Sequence, residues 1–381
     1  MKTALLTIST VLGVCLGSPS VLEAAESPWS SKAPLPTARF GLTTCVVDGK
    51  IYALGGGNAP YTPYLSNVEI YNPATDSWET GIPMPNARMG HAAAVVGGKV
   101  YVMGGAYGAL TSSATVDEFD PATGTWTTRA PMPNDRVFHC AGAVDGKIYI
   151  IGGCGSGWNV DGADVTDVDV YDPTSNTWTR KGKMRSPRAM AAAAVVNGKI
   201  YVFGGIVGSL SGSPVSTADM YDPATDTWKP IRGFVARACS GACVVDNKIY
   251  LMGSGSLQGC LSRTDVYDPT TDTWQTGPGM RQAKCFMGAS LVIGKIYIVG
   301  GDDAAWPWHS IATVEAYTPS PLMSITRQGG SITLSWTGIL QEMDGQGDYW
   351  QWRDIVPAPT SPWTIEAVHE SQMNCFRSRL P

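Results

Sequence analysis

The strongest constraint on this chain of 381 residues is that it repeats itself. A segment with a turn, Lys-Ile-Tyr or Lys-Val-Tyr, two apolar residues and usually two glycines recurs about every 50 residues. The six copies begin at Gly49, Gly98, Gly146, Gly198, Asn247 and Gly294. A second segment, typified by Tyr221–Trp228, ends at Trp78, Trp126, Trp178, Trp228 and Trp274. A unit of this length cannot bury an apolar face alone, so the repeats must pack on one another.

Each repeat reads as four β-strands. Dipeptides such as Asp48-Gly49 and Asn197-Gly198 favour two-residue hairpins, because Asn, Asp and Gly tolerate a positive φ. The Asp-Pro segment then predicts a corner that returns the chain into the strand with the Trp. Small residues crowd the first strand, as in Ala92–Ala94 and Ala191–Ala194. We therefore expect that strand nearest a shared axis, where several sheets converge.

The sixth copy is incomplete, since it stops at Tyr317-Thr318-Pro319 without its Trp. The missing strand lies at the other end of the chain, at Trp29 and the residues that follow it. An N-terminal strand that completes the last sheet closes a ring, whereas a linear stack would not need it. The pattern predicts an all-β, six-bladed β-propeller closed by its N-terminal strand.

The glycine pair, the Tyr and the Trp at these offsets resemble the kelch family of propellers over residues 27–320. The resemblance implies the propeller fold. Kelch propellers include galactose oxidase-like enzymes, sialic acid mutarotases and many modules that only bind, so the fold does not decide the function.

The chain ends predict a leader and a tail. Residues 1–25, with Lys2 before an apolar stretch too short to span a bilayer, resemble a cleaved export signal, which implies a secreted, periplasmic or cell-surface protein. Residues 26–320 are then the propeller, and 321–381 a small C-terminal β-rich module. Export permits disulfides, and the eight cysteines that follow the leader allow 105 pairings. Small buried thiols are an equally good interpretation of Cys45 and Cys243.

The net charge of −5 excludes bulk attraction to nucleic acid, and no later apolar run is long enough for a membrane span. Against this acidic background, a basic residue stands about ten positions before each hairpin turn. The column consists of Arg39, Arg88, Arg136, Arg188, Arg237 and Lys284. In related blades these side chains would form a ring near the channel mouth, able to bind carboxylate or phosphate. In kelch adaptors of ubiquitin ligases, Arg residues of this column grip acidic peptides, and Lys284 departs from that pattern.

Other candidate sites are less complete. The loops after the glycine pairs carry Trp158, Trp306 and Trp308, whose rings suit stacking on sugars or contact with proteins. His91 and His139 share a column, but a metal needs three or four ligands, so core histidines are the better interpretation. The Asp residues at 161, 164, 167 and 169 lack the glycine-turn spacing of a calcium loop. The copper site of a galactose oxidase-like enzyme cannot be placed, and we expect no cofactor.

Together these features predict a non-catalytic binding module for an extracellular glycan or acidic peptide, with the basic ring and the loop tryptophans as its ligand contacts. The alternative is a carbohydrate-active enzyme, either a sugar mutarotase or epimerase or a degenerate galactose oxidase-like protein. A mutarotase needs one acid and one base over the channel, and Asp302 or Asp303 with His91 or His139 would supply them. A structural surface protein held by its tail is a third interpretation.

Overall fold

The computed structural model describes residues 27–319 except 59–63, 108–110, 156–165, 209–211, 257–258 and 304–308, and beyond them the backbone of six further strands. The named elements of this described part are all β-strands. Two compact units divide it between Tyr317 and Thr318.

The first unit consists of six antiparallel sheets of four strands, one for each repeat. Blade 1 contains β2 (Thr43–Val47), β3 (Lys50–Leu54), β4 (Val68–Asn72) and β5 (Ser77–Thr80). Blade 2 contains β6 (Ala92–Val96), β7 (Lys99–Met103), β8 (Val116–Asp120) and β9 (Thr125–Arg129). Blade 3 contains β10 (Cys140–Val144), β11 (Lys147–Ile151), β12 (Val168–Asp172) and β13 (Thr177–Lys181). Blade 4 contains β14 (Ala192–Val196), β15 (Lys199–Phe203), β16 (Ala218–Asp222) and β17 (Thr227–Ile231). Blade 5 contains β18 (Gly241–Val245), β19 (Lys248–Ser256), β20 (Gly259–Asp268) and β21 (Thr273–Gly277). Blade 6 contains β22 (Gly288–Val292), β23 (Lys295–Val299), β24 (Val314–Tyr317) and, from the other end of the unit, β1 (Trp29–Lys32).

The ring closes through β1, as the sequence predicts. β1 pairs antiparallel with β24, and Trp29 lies opposite Tyr317. The Trp29 indole is buried, stacks on the Tyr317 ring at 5.1 Å and donates to the carbonyl of Pro278 at 3.1 Å. The all-β, six-bladed propeller closed by the N-terminal strand is therefore confirmed.

The first strand of each blade lies nearest the axis, where it contacts the first strands of the neighbouring blades. Small side chains occupy these strands because larger ones do not fit where six sheets converge. The hairpin turns follow the sequence as well. Asp48 and Gly49 have φ of 49° and 72°, and Asn197 and Gly198 have φ of 49° and 72°, as a type I′ turn requires.

The corner between the third and fourth strands fastens blades 1, 3, 4 and 5 to the blade that precedes each of them. In blade 1, the Asp76 carboxylate accepts bonds from the Tyr71 hydroxyl at 2.5 Å and from the Ala33 amide at 2.8 Å. The Trp78 indole donates to the Ala33 carbonyl at 2.9 Å. Asp76 holds a positive φ of 50°, which Asp tolerates better than most residues. The same contacts recur in blades 3 and 5, which explains why this corner is part of the repeat.

A closed circle of six backbone hydrogen bonds surrounds the axis, and we call it the axial ring. Each amide donates to the carbonyl of the equivalent residue in the preceding blade at 2.7–3.1 Å. Its members are Gly41, Gly90, Phe138, Met190, Cys239 and Phe286. All six have φ between 52° and 62°, a conformation that costs about 1 kcal/mol or more for each non-glycine residue. The ring fixes the blades to one another where the chain enters the innermost strands.

The second unit begins after Tyr317 and contains two three-stranded sheets. One sheet consists of β25 (Ser324–Gln328), β26 (Ser331–Ser335) and β29 (Trp363–Glu366). The other consists of β27 (Ile339–Gln346), β28 (Tyr349–Asp354) and β30 (Phe376–Arg379). That this segment is a β-rich module of its own stays a prediction, and the expected leader at 1–25 lies outside the described residues.

Trp29→Ala tests closure of the ring. We expect the free energy of unfolding to fall by about 3–5 kcal/mol, because a fully buried aromatic side chain leaves a cavity and the seam between β1 and β24 loses its stacking partner. Chemical denaturation measures this loss. The control is Trp126→Ala, which removes a half-buried indole from an interior blade. Equal losses in the two variants would contradict a special role for the seam.

Candidate functional site

The six basic residues of the predicted column occupy equivalent positions, and all are buried, with at most 2% of each side chain exposed. Each pairs with a carboxylate on the third strand of its own blade. The pairs are Arg39–Glu69, Arg88–Asp117, Arg136–Asp169, Arg188–Asp219, Arg237–Asp265 and Lys284–Glu315. The column therefore consists of six buried ion pairs.

The guanidinium groups also hold the backbone of their blades. Arg136 Nη1 donates to the carbonyls of Gly152 and Asp167, both at 3.1 Å, while its Nη2 binds Asp169 at 2.5 Å. One side chain thus joins the glycine pair after the second strand to the start of the third strand. Burial lowers the pKa of Arg136, and the negative charges of Asp169 and Asp167 oppose that shift.

This placement corrects the expected ring of cations open to the channel mouth. The six side chains extend into their blades, where each meets a carboxylate on the third strand. The two charges of each pair cancel. A second column in the sequence carried the signal. One acidic residue stands two positions before the Tyr or Phe of every third strand, inside a run that is otherwise mostly apolar. Those residues are Glu69, Asp117, Asp169, Asp219, Asp265 and Glu315.

A narrow channel follows the axis. Its cavity of about 210 Å³ is lined by the first strands, and small residues such as Ala92, Ala141 and Ala193 contribute much of the wall. Ligand pockets usually enclose about 300–1,000 Å³, so this channel suits a small molecule at most. The Phe138 and Phe286 rings lie 5.8 Å apart at the level of the axial ring, beside a smaller cavity of about 120 Å³.

His91 and His139 line this channel and are packed tightly between blades. A Cβ placed on Gly55 would lie 2.8 Å from His91 Cε1, and one on Gly105 would lie 2.8 Å from His91 Cβ. The glycine pairs of two neighbouring blades thus make room for one imidazole. Burial, together with the Arg88 charge, lowers the pKa of His91 to about 3, and burial with the Arg136 charge lowers that of His139 to about 3. Both rings are neutral near pH 7, as core histidines are.

The connections from second to third strand and from fourth to first strand meet on one side of the propeller, which we call the loop face. Short bridges join them there, as between Phe40 and Gly57 and between Gly57 and Tyr64. Tyr64 is partly exposed on this face, and Tyr107 is 47% exposed. The predicted ligand contacts Trp158, Trp306 and Trp308 lie outside the described residues.

An acid and a histidine meet on the loop face, but they are a different pair from the one expected. Asp303 binds His309 Nδ1 at 2.7 Å and Gln282 Nε2 at 2.7 Å. The hydrogen bond and charge of Asp303 raise the pKa of His309, whose side chain is 69% exposed. Asp302 is fully buried. Sequence reasoning missed this pair because His309 occupies a loop position with no equivalent in the other repeats.

The acidic cluster of blade 3 is engaged by cations where the structure describes it. Asp167 pairs with Arg180 at 2.7 Å and with Lys183 at 3.2 Å, and Asp169 pairs with Arg136. Residues 161 and 164 lie outside the described part.

The seven described cysteines are free thiols, and burial raises the pKa of Cys45 and Cys243 to about 12. Among the described residues, no helix has the length and apolar character that a membrane crossing requires.

Arg88→Ala tests the buried ion pairs. Removal of one partner leaves the Asp117 carboxylate buried and uncompensated, so we expect the free energy of unfolding to fall by about 3–5 kcal/mol. The double variant Arg88→Met/Asp117→Leu replaces the charges with apolar groups and should recover most of that loss. Lys50→Ala, which breaks a solvent-exposed pair with Glu79, is the control and should change little. If urea denaturation shows no fall in the free energy of unfolding of Arg88→Ala, the Arg88–Asp117 pair is not a stabilising buried ion pair.

The two channel histidines make the fold sensitive to acid. Their folded pKa of about 3 lies below the usual value of 6.5, so the unfolded chain binds protons first and stability falls as pH drops from about 6.5 towards 3. Between pH 7 and 5 the loss is about 2 kcal/mol for each histidine. The variant His91→Leu/His139→Leu tests this, because leucine already occupies the equivalent position in blade 1 at Leu42. Its free energy of unfolding should depend less on pH over this interval. Parallel curves for the two proteins would contradict this account.

Comparison with known proteins agrees with this architecture. A family model described as the KLHDC2/KLHL20/DRC7 Kelch-repeats domain matches residues 41–233, and the Kelch motif matches 236–281. Two F-box/kelch-repeat proteins of Arabidopsis thaliana are 49% identical over 43 residues and 45% identical over 49 residues. These stretches cover 11% and 13% of this chain and only 12% and 13% of the two relatives. The solved structure of YjhT superposes with a TM-score of 0.63 at 16% identity, covering 80% of this chain and 99% of that one. The chain belongs to the kelch-repeat family of β-propellers.

Proposed function

We propose that this propeller is a binding module that receives an extracellular ligand on its loop face. One observation carries the proposal: the residues repeated in every blade are used to build the fold. The basic column is paired within the blades, the corner carboxylates fasten neighbouring blades, and the glycine pairs make room for packing. What differs from blade to blade lies in the loops of one face, and loops on a rigid scaffold are where binding residues concentrate.

The dimensions of the channel support a ligand held on the face. A cavity of about 210 Å³ with two phenylalanine rings near its mouth has no room for an oligosaccharide or a peptide. The axial ring beneath the loops gives them a rigid base, which lowers the entropy lost when a ligand orders them. Tyr107 presents an exposed ring on the same face. The proposed contacts remain Trp158, Trp306 and Trp308, with the six basic residues positioning the loops from below.

Charge pairing favours a glycan over an acidic peptide. An acidic ligand gains most from an uncompensated cation, and each cation of the basic column already has a carboxylate within its own blade. Neutral sugars need aromatic faces and hydrogen-bonding groups, and the exposed ring of Tyr107 is one such face. The extracellular setting rests on the resemblance of residues 1–25 to an export signal.

A titration of purified protein with neutral oligosaccharides, acidic oligosaccharides and acidic peptides tests this function. We expect a neutral glycan to raise the melting temperature, and Trp306→Ala/Trp308→Ala to weaken its binding at least about tenfold, since each indole covered by a sugar removes apolar area from water. Trp126→Ala, which alters an outer-strand indole, is the matched control. Two results would refute the neutral-glycan proposal. One is stabilisation by acidic ligands alone, and the other is equal glycan affinity in Trp306→Ala/Trp308→Ala and in Trp126→Ala.

A carbohydrate-active enzyme is the second candidate, and the Asp303–His309 pair favours it. An exposed imidazole beside a carboxylate can exchange protons near neutral pH, as mutarotation or epimerisation requires. Exchange between sugar anomers, followed by NMR, separates the two functions. If the protein accelerates anomer exchange and Asp303→Asn abolishes that acceleration, the protein is an enzyme and not only a binding module. If a sugar binds and its exchange is not accelerated, the binding module is supported.

A further inference from the structure

Blades 5 and 6 depart from the repeat at three places that meet at one point on the loop face. In each blade, the residue after the basic column pairs with the residue after the glycine pair. The earlier pairs are apolar or contain glycine, as in Met89–Ala106 and Ala189–Ile206. In blade 6 the pair is Cys285–Asp302. A carboxylate thus occupies a position that is otherwise apolar or glycine, and Asp302 is completely buried there.

The second departure is an extended hairpin in blade 5. β19 and β20 have nine and ten residues, whereas the corresponding strands of the other blades have four or five. Their added length pairs Gly255 with Cys260 and brings Cys260 Sγ to 3.2 Å from the backbone carbonyl of Asp302. A residue of blade 5 therefore reaches the Cys285–Asp302 pair of blade 6.

The third departure is Gly255, which leaves space for sulfur. A Cβ added to Gly255 would lie 3.1 Å from both the Cβ and the Sγ of Cys285 and 3.7 Å from the Cβ of Cys239. Any larger residue at this position would press on the Cys285 thiol. Three cysteines from two blades therefore surround one glycine, and Asp302 adjoins them.

The donor atoms have the separation that a metal ion needs. Cys260 Sγ, Cys285 Sγ and a carboxylate oxygen of Asp302 all lie within 4.8 Å of one another. In a tetrahedral zinc site with Zn–S near 2.3 Å, neighbouring donors lie about 3.5–4 Å apart, which small side-chain rotations supply. The backbone already holds two ligands together, since Cys285 and Asp302 exchange amide–carbonyl bonds at 2.9 and 2.8 Å. The His309 amide donates to Asp302 Oδ2 at 2.8 Å, which orients the carboxylate as an outer-shell partner does.

We propose that Cys260, Cys285 and Asp302 form a zinc site that joins the β19–β20 hairpin to blade 6. Cys239, whose Sγ contacts Met190 Sδ at 3.5 Å, would become the fourth ligand by rotation of its side chain. Two or three thiolates with one carboxylate form a donor set that selects Zn²⁺ over Ca²⁺ or Mg²⁺, which prefer oxygen alone. A Cys260–Cys285 disulfide would use two of these donors and leave the buried carboxylate out, whereas a metal ion uses all of them. Because the ligands come from both blades, the ion would fasten the hairpin extension to its neighbour.

Metal uptake by the reduced full-length protein tests the site. We expect purified protein, incubated with Zn²⁺ and then desalted, to retain about one ion per chain and to melt at a higher temperature than the chelator-treated protein. Co²⁺ in place of Zn²⁺ should give the near-ultraviolet absorption of cobalt–thiolate bonds. Cys260→Ser and Asp302→Asn should each weaken Zn²⁺ binding at least about tenfold, and Cys239→Ser should weaken it less.

The matched control is Cys154→Ala. Cys154 occupies in blade 3 the position that Asp302 occupies in blade 6, and it is equally buried. This variant should bind Zn²⁺ as the parent protein does. Three results would each overturn the proposal: no retained zinc in the reduced parent protein, zinc retention that is unchanged in Cys260→Ser and Asp302→Asn, or a loss of zinc in Cys154→Ala as large as theirs.

Discussion

The buried ion pair is the interaction on which each blade depends. Its cation belongs to the loop that enters the innermost strand, and its carboxylate belongs to the third strand, so the pair connects chain segments about 30 residues apart. In blades 2, 3 and 4 its guanidinium also binds the carbonyl of the first glycine of the pair. An ion pair in a protein interior gains little net stability over well-packed apolar side chains, but leaving one partner alone is costly. The pair therefore acts on register: a shifted third strand would bury two unmatched charges.

From this pair the central geometry follows. The loop that carries the cation continues directly into the axial ring, whose six members share one backbone conformation even though four of them are not glycine. Such strain persists where the surroundings hold it in place. The circle of hydrogen bonds and the ion pairs below it supply that constraint, so the channel stays narrow and its two histidines stay neutral between the blades.

The repeat made the fold predictable from sequence, because six copies of the same pattern can be compared with one another inside a single chain. Hairpins, corners, the inner strand of small residues and the closing strand at Trp29 all came from that comparison. The basic column is found in the same way, but its role depends on the acidic column that neutralises it. The remaining features belong to single blades. Within the described part of the other blades, neither the Asp303–His309 contact nor the approach of Cys260 to Asp302 has an equivalent, so no repeated spacing reveals them. Blade 2 lacks both partners of the corner hydrogen bond. Phe119 replaces the tyrosine that would donate, and Gly124 replaces the residue that would accept, so the two changes occur together.

Closure by β1 has a consequence for the order in which the molecule is made. The strand that completes the last blade is the first strand of the propeller to be synthesised, and it must wait for Tyr317 before it can pair. Until then both edges of the growing sheet array remain unpaired, and such edges are open to pairing with other chains. Contacts this distant in sequence form slowly. The interval between the emergence of Trp29 and that of Tyr317 is thus when the nascent chain most needs protection from its neighbours.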